Sequence, residues 1–288
     1  MKQFVQKSFI LGSLLLLFGL QACMEVGPAV NMGLNTSLSD TTYVEPSADS
    51  PQSRLVLLEE FTGVRCVNCP RAHNTILNLQ STYPGRIVPV GIHTGIFSAP
   101  YAGRNDFRIA EGNSLENLLG GAQGYPAGSV NRKKFPDESR IIISDQKWSN
   151  YVGGELAGGA PINISIERDL DMNAMKMSLE VKVKLNQAQE GPLHLTLYLT
   201  EDNIVDFQLT PTGVDSAYVH KHVLRKCITA YNGINLASSS YEPNRVFIYR
   251  FITDLESAWN LSNCKVVGFV HRIGEVPEVL QTAYINVN

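Results

Sequence analysis

The sequence predicts an α/β unit followed by an all-β sandwich, and three observations carry that reading. A continuous apolar run, Leu55–Leu58, leads into a two-cysteine motif and then a helix-spaced segment, as a buried parallel strand and its helix would. Beyond Gly158-Gly159-Ala160-Pro161 the pattern changes to alternation, beginning with Ile162, Ile164 and Ile166. The 288 residues, 44% hydrophobic and 18% charged, suffice for two ordinary domains and exclude a disordered chain. With 24 Lys+Arg against 27 Asp+Glu, there is no electrostatic basis for a nucleic-acid partner.

The first element is an address. Lys2 and Lys7 precede an apolar run from Phe9 to Leu20, which as a helix would reach only about 18 Å. That is short of the ~30 Å hydrocarbon core, so residues 1–22 read as a secretion signal. The segment ends Leu20-Gln21-Ala22-Cys23, which resembles the lipobox of bacterial lipoproteins. That resemblance implies cleavage before Cys23 and acyl chains on its thiol and amine, with an ordinary signal and a chance cysteine as the alternative. Loss of residues 1–22 removes two lysines, leaving 22 basic against 27 acidic residues and a net charge of −5. The expected mature protein is held to a membrane by lipidated Cys23, in a disulfide-permissive compartment. Residues 23–53, rich in Ser, Thr, Asp, Pro and Asn, read as a flexible tether.

The α/β unit spans 54–158. After the first strand, Ala72, Ile76, Leu77 and Leu79 suit a helix from Pro70 to Gln80, stopped by Tyr83-Pro84-Gly85. Proline is tolerated in the first turn, where its missing N–H has no intrahelical acceptor anyway. Ile87–His93 is a second strand, Arg104–Leu119 is helix-capable, and Gly120–Gly124 is a turn. A third strand is expected around Ser129–Arg132, and a last helix from Ser144 to Leu156 with Ser144 as its cap.

Residues 159–288 form the expected sandwich. Leu179, Val181, Val183 and Leu185 alternate, as do Leu193, Leu195, Leu197 and Leu199, and Val266–Val270 and Val279–Val287 are further strands. Tyr218 to Tyr231 interrupts them with helical spacing. At roughly 125 residues this half is near the ~100 of an immunoglobulin-like module.

The chemistry lies in Cys66-Val67-Asn68-Cys69. A cysteine at a helix start has backbone N–H groups and the helix dipole favouring its thiolate. Two intervening residues let a second thiol resolve a mixed disulfide made by the first. Cys66 is therefore the expected attacking thiol and Cys69 the resolving one. Arg65 and Glu60 are candidates for tuning the thiol or moving its proton. With Cys23 lipidated, four cysteines allow three pairings. Adjacency favours Cys66–Cys69 and leaves Cys227 with Cys264, unless those two are separate buried thiols.

The order strand, two-cysteine motif, helix, strand, with Tyr125-Pro126 before the third strand, resembles the thioredoxin-like fold. The resemblance implies a cis Pro126 beside the cysteines, with Tyr125 and Pro126 meeting the client backbone. Longer segments, Leu57–Gly63 through Cys69-Pro70-Arg71, Gly124–Arg132, and Tyr218–Arg225, resemble the outer-membrane protein 28 family of Bacteroidota lipoproteins. That family implies a thioredoxin-like half, a β-sandwich half, and anchorage in the outer membrane on its periplasmic or surface face. The chain departs from typical thioredoxins at Arg65, where a Trp is usual, and at Val67-Asn68.

The same residues admit rivals. Cys66, Cys69, His73 and His93 could make a zinc site, although His73 lies two helical turns, about 10 Å, beyond Cys66. The disulfide could be purely structural. Glu59-Glu60 could be a solvated strand end, and His220 and His222 read as surface. Gly120–Gly124 lacks the spacing of a dinucleotide or phosphate loop, so no cofactor is expected, and no metal. Two functions stay open: a lipid-anchored thiol–disulfide oxidoreductase acting on client proteins, or a non-catalytic scaffold in adhesion or envelope assembly.

Overall fold

The structure is a computed structural model that describes residues 40–288; the signal segment, Cys23 and the start of the tether lie outside the described residues. After β1 (Thr41–Val44) come β2 (Val56–Thr62), α1 (Cys69–Thr82), β3 (Ile87–His93), α2 (Gly112–Leu118), β4 (Ala127–Val130), β5 (Ile143–Ser144) and α3 (Trp148–Glu155). Then follow β6 (Ile162–Asp171), β7 (Lys176–Leu185), β8 (Leu193–Glu201), β9 (Ile204–Thr210) and β10 (Gly213–His220). The chain ends with β11 (Val223–Cys227), β12 (Ile234–Asn235), β13 (Arg245–Asp254), β14 (Cys264–Arg272) and β15 (Val279–Asn286).

β2 and β3 pair in parallel, from Val56↔Ile87 to Thr62↔His93, and every residue of both is buried. Their continuous apolar runs are explained by cover on both faces. One face packs Val56, Leu58 and Ile87 on Ala72, Ile76 and Leu79 of α1 and on Trp148 and Val152 of α3. The other packs Leu57, Phe61 and Val90 on Tyr198, Val267 and Phe269 from the second half.

That second contact changes the expected two-domain picture. One nine-stranded sheet runs β15-β14-β8-β11-β3-β2-β4-β5, with β12 also on β8. β11 makes the junction through the parallel bridge Val223↔Gly91. The second sheet, β1-β13-β7-β6, stacks against the β8–β14–β15 end of the first through Ile164, Val181, Val183, Leu197 and Val266. The sandwich therefore shares one layer with the α/β half. Buried Arg132 forks onto Glu59 at 2.6 and 2.8 Å and, across the seam, reaches the Tyr198 hydroxyl at 2.8 Å.

Several expectations are corrected. Thr41–Val44 of the tether is an edge strand on β13, held because Tyr43 is buried against Val246 and Ile248. Tyr218–Tyr231 is not helical: Tyr218 and Val219 fall on β10 and Val223 and Leu224 on β11, separated by a turn at His222 with φ 56°. The helix expected over Arg104–Leu119 is reduced to α2, and β4 begins at Ala127 rather than Ser129. Ser144 caps a single 3-10 turn, Asp145–Lys147, and α3 follows it.

Cys227 and Cys264 are free thiols, not a disulfide. Cys227 pairs with Tyr198 and Cys264 with Glu201, on opposite flanks of β8. Two inter-strand spacings, about 9.5 Å, then separate their strands, beyond the ~7 Å reach of a disulfide.

Candidate functional site: a disulfide beneath a hairpin

At the end of β2 the chain turns through Gly63, where a Cβ would stand 2.4 Å from the Phe97 carbonyl oxygen. Only glycine lets these two backbones approach so closely. The next turn is tied by Arg65 N–H to the Phe97 carbonyl at 2.9 Å, Cys66 N–H to Gly63 at 3.0 Å, and Cys69 N–H to Cys66 at 3.2 Å. Cys66 and Cys69 are joined by a disulfide, with Cα atoms 5.4 Å apart. α1 begins at Cys69 rather than at Cys66, with Pro70 in its first turn.

Arg65 points to the neighbouring loop. Its Nε donates to Ala99 at 2.8 Å and its Nη2 to Pro100 at 2.9 Å, while the guanidinium lies 4.3 Å from the Tyr101 ring centre. The Tyr125–Pro126 bond is cis. Since Ala127 is in register with Phe61, Pro126 heads β4 at the end of the sheet where the cysteine loop departs. Tyr125 donates to Glu116 at 2.7 Å, and burial together with that carboxylate raises its pKa.

The second half supplies what lies over this loop. Gln208, on β9, is fully buried, and its Nε2 donates to Gly63 at 3.3 Å, to Cys66 at 3.1 Å and to Leu209 at 3.0 Å. Leu209 N–H donates to Val64 at 2.8 Å. Beneath this hairpin Cys66 is 3% exposed and Cys69 0%.

A set of aromatic and titratable groups holds the hairpin from below. Glu60 is buried and lies 3.2 Å from His73 Nε2, while His73 Nδ1 is bonded to the Tyr218 hydroxyl of β10. Burial alone would lower the His73 pKa, but the Glu60 carboxylate outweighs it and the pKa is raised. His93, buried at the end of β3, lies tilted against Phe107 and edge-on to His220, and neither ring nitrogen has a hydrogen-bond partner among the described residues. Burial, then repulsion from His220 and His73, puts its pKa well below the ordinary value. His220 is buried too, against the surface reading, and burial lowers its pKa to about 4. Glu59 and Glu60 are likewise buried rather than solvated.

The zinc alternative loses both thiols to the disulfide, and among the described residues no group of three or more His, Cys, Asp or Glu is arranged for a metal. Gln208 and Asp206 lie in no segment the sequence singles out, and Tyr218 stands there only at the head of Tyr218–Arg225, with no role at the cysteines. The alternation in Val205-Asp206-Phe207-Gln208-Leu209 was the available signal.

Fold and site together define a mixed-sheet protein with a disulfide loop at the end of a parallel strand. More particularly, the chain belongs to the outer membrane protein Omp28 family, whose model matches residues 115–288. The family places it at the outer membrane, as expected; the cysteine loop precedes the matched residues. HBP35 of Porphyromonas gingivalis is similar over 83% of this chain and 77% of its own, at 18% identity and TM-score 0.64. A protein of Agrobacterium tumefaciens is similar over 84% of this chain and 97% of its own, at 10% identity and TM-score 0.52. A domain of the outer membrane lipoprotein Omp28 from Porphyromonas gingivalis aligns with 45% of this chain and 89% of its own, at 19% identity and TM-score 0.31. The first two likenesses are likenesses of fold. No curated protein matches the chain.

Proposed function

We propose that this is a lipid-anchored outer-membrane protein whose Cys66–Cys69 pair exchanges disulfides with client proteins of the envelope. The observation that carries it is the disulfide itself, closed over two residues between a parallel strand and a helix. In this reading residues 54–158 are thioredoxin-like, and Pro126 and Tyr125 line the client's approach. The reduced pair acts in two steps. The Cys66 thiolate attacks a client disulfide, one client sulfur leaving as thiolate and the other joining Cys66. The Cys69 thiolate then attacks the Cys66 sulfur, displacing the second client sulfur as thiolate. The client disulfide has gained two electrons and, with two protons, leaves as a dithiol; the Cys66–Cys69 pair has lost those two electrons and is a disulfide. Run in reverse, the pair oxidises a client dithiol.

The deciding measurement is the reduction potential of the pair against glutathione. A value between about −120 and −270 mV supports exchange; one below about −300 mV marks a structural bond. The burial of both cysteines favours that second reading, a scaffold in adhesion or assembly. The lipid anchor is tested by mass spectrometry of the mature N-terminus, which should be an acylated Cys23; an unmodified Cys23 or another start overturns it.

A further inference from the structure

The hairpin β9–β10 is an excursion from an otherwise closed ladder. β8 ends at Glu201 and β11 begins at Val223, and these two residues are register partners. The chain leaves and re-enters the sheet between paired residues, so β8 and β11 do not need the hairpin to meet. Each root has a left-handed residue, Asn203 at φ 61° and His222 at φ 56°. Asp202 clasps them: its Oδ1 accepts from His222 N–H at 2.7 Å and lies 2.8 Å from His222 Nδ1, while Lys265 bonds its Oδ2 at 2.8 Å. A rigid two-stranded flap between two short non-regular roots is the geometry of a hinge.

The far side of the flap rests on the cysteine loop through few polar contacts, chiefly the Gln208 amide and the Leu209 N–H. Its flank is steadied by Asp206, which accepts from Asn105 N–H at 2.9 Å, and by Arg104, 3.8 Å from the Phe207 ring centre. Its outer face carries exposed Val205, Val214 and Val219, so no other element of the described chain packs over it.

We propose that the hairpin Ile204–His220 is a hinged cover built into the chain, which must lift before an external thiol reaches the Cys66–Cys69 bond. This regulation of the site rests on the exchange reading above. Closed, the hairpin engages the Val64 and Cys66 carbonyls with its own main chain and amide, and in that state Cys66 is only 3% exposed. Reaction then follows the open fraction, and loosening the flap raises the rate in proportion.

The test uses the full mature chain, with dithiothreitol as probe and the Cys66–Cys69 bond followed by alkylation and mass. Gln208→Ala removes the amide that seats the flap, and the reduction rate should rise about tenfold, corresponding to about 1.4 kcal/mol of opening free energy. Tyr218→Phe, which keeps the ring but loses the bond to His73, should raise it about threefold and serves if the first variant does not fold. Amide hydrogen exchange at Leu209 checks that the flap is looser. A looser flap with an unchanged reduction rate overturns the cover. The glutathione equilibrium is a separate readout. A structural-range potential with faster variants removes the exchange reading but keeps the cover, and an exchange-range potential with unchanged variants does the reverse.

Discussion

Replacing Glu59 by leucine should weaken both halves of the protein at once. Glu59 and Arg132 are both 0% exposed. The carboxylate takes two bonds from the guanidinium, at 2.8 and 2.6 Å, and a third from Ser129 at 3.1 Å. Without it, Arg132 keeps only the Tyr198 hydroxyl and the face of Phe269, 4.8 Å from the ring centre. A buried cation stripped of its partner costs about 3–5 kcal/mol, a large share of the ~5–15 kcal/mol available to a typical domain. Glu59 lies on β2, Arg132 just beyond β4, Tyr198 on β8 and Phe269 on β14, so the loss falls on strands of both halves. Urea unfolding followed separately through Trp148 and Trp259, each as the sole tryptophan, should show one shared midpoint that moves down together. The double variant Glu59→Leu with Arg132→Leu should regain most of the loss, because replacing both charges removes the stranded ion. Two separated transitions, with only Trp148 responding, would refute the shared-sheet reasoning; so would a loss under about 1 kcal/mol, since a broken buried pair costs several.

Stability should fall on mild acidification. Burial depresses His220 to about 4 and His271 to about 3, whereas an unfolded histidine binds its proton near 6.5. Their contribution is complete above about pH 6.5 and is lost as pH falls toward 4, at roughly 1.4 kcal/mol per pH unit for each residue. His73, raised by Glu60, works the other way and stabilises below about 6.5; a urea midpoint that stays flat between pH 6.5 and 4.5 contradicts the scheme. Burial pushes the thiols of Cys227 and Cys264 up to about 12, so neither should alkylate at pH 8 in the native protein. Both should alkylate in denaturant without reductant, and failure of both would restore the abandoned pairing. Gly128→Ala would put a Cβ 2.2 Å from the Glu59 carbonyl oxygen and 2.9 Å from Trp148, forcing β4 off β2. A loss of about 1–3 kcal/mol or more is expected in the unfolding midpoint.

How much of the fold was legible follows from what each element needed. β2, α1 and β3 are specified by residues close in sequence: an apolar run, a proline-tolerant first turn, and Ala72, Ile76 and Leu79 on one face. The alternation of β6, β7 and β8 was equally plain. The shared sheet was not, because nothing in a strand's own period names its neighbour across the sheet. Val223 meets Gly91 across 132 positions of chain. β1 was missed since four residues, Thr-Thr-Tyr-Val, stand alone in a polar stretch and gain their order only from β13. The apparent helix over Tyr218–Tyr231 shows the opposite error. Apolar residues from two short strands fell by accident at helical intervals, and His222 with its positive φ broke the run.

The site divides in the same way. Cys66 and Cys69 announced themselves because their chemistry depends on a spacing of three, and the register of Ala127 with Phe61 brings Pro126 to their end of the sheet. Access to the sulfur is another matter. What lies over the loop comes from a hairpin some 140 residues downstream: Gln208 bonds Cys66 across a separation of 142, while Tyr218 bonds His73 of α1 and His220 packs on His93 and Phe107. Tyr218 and His220 lie in the Tyr218–Arg225 segment, whose spacing says nothing of the cysteines, and Gln208 lies in no motif; glutamine on a strand is unremarkable until its amide is found buried with carbonyls around it. Buried polar groups retained without charge carry a cost unless bonded. The bonds from the Gln208 Nε2 to Gly63 and Cys66 therefore mark a contact the chain maintains between its two halves, and under the proposed cover they place control of the disulfide in the half that does not contain it.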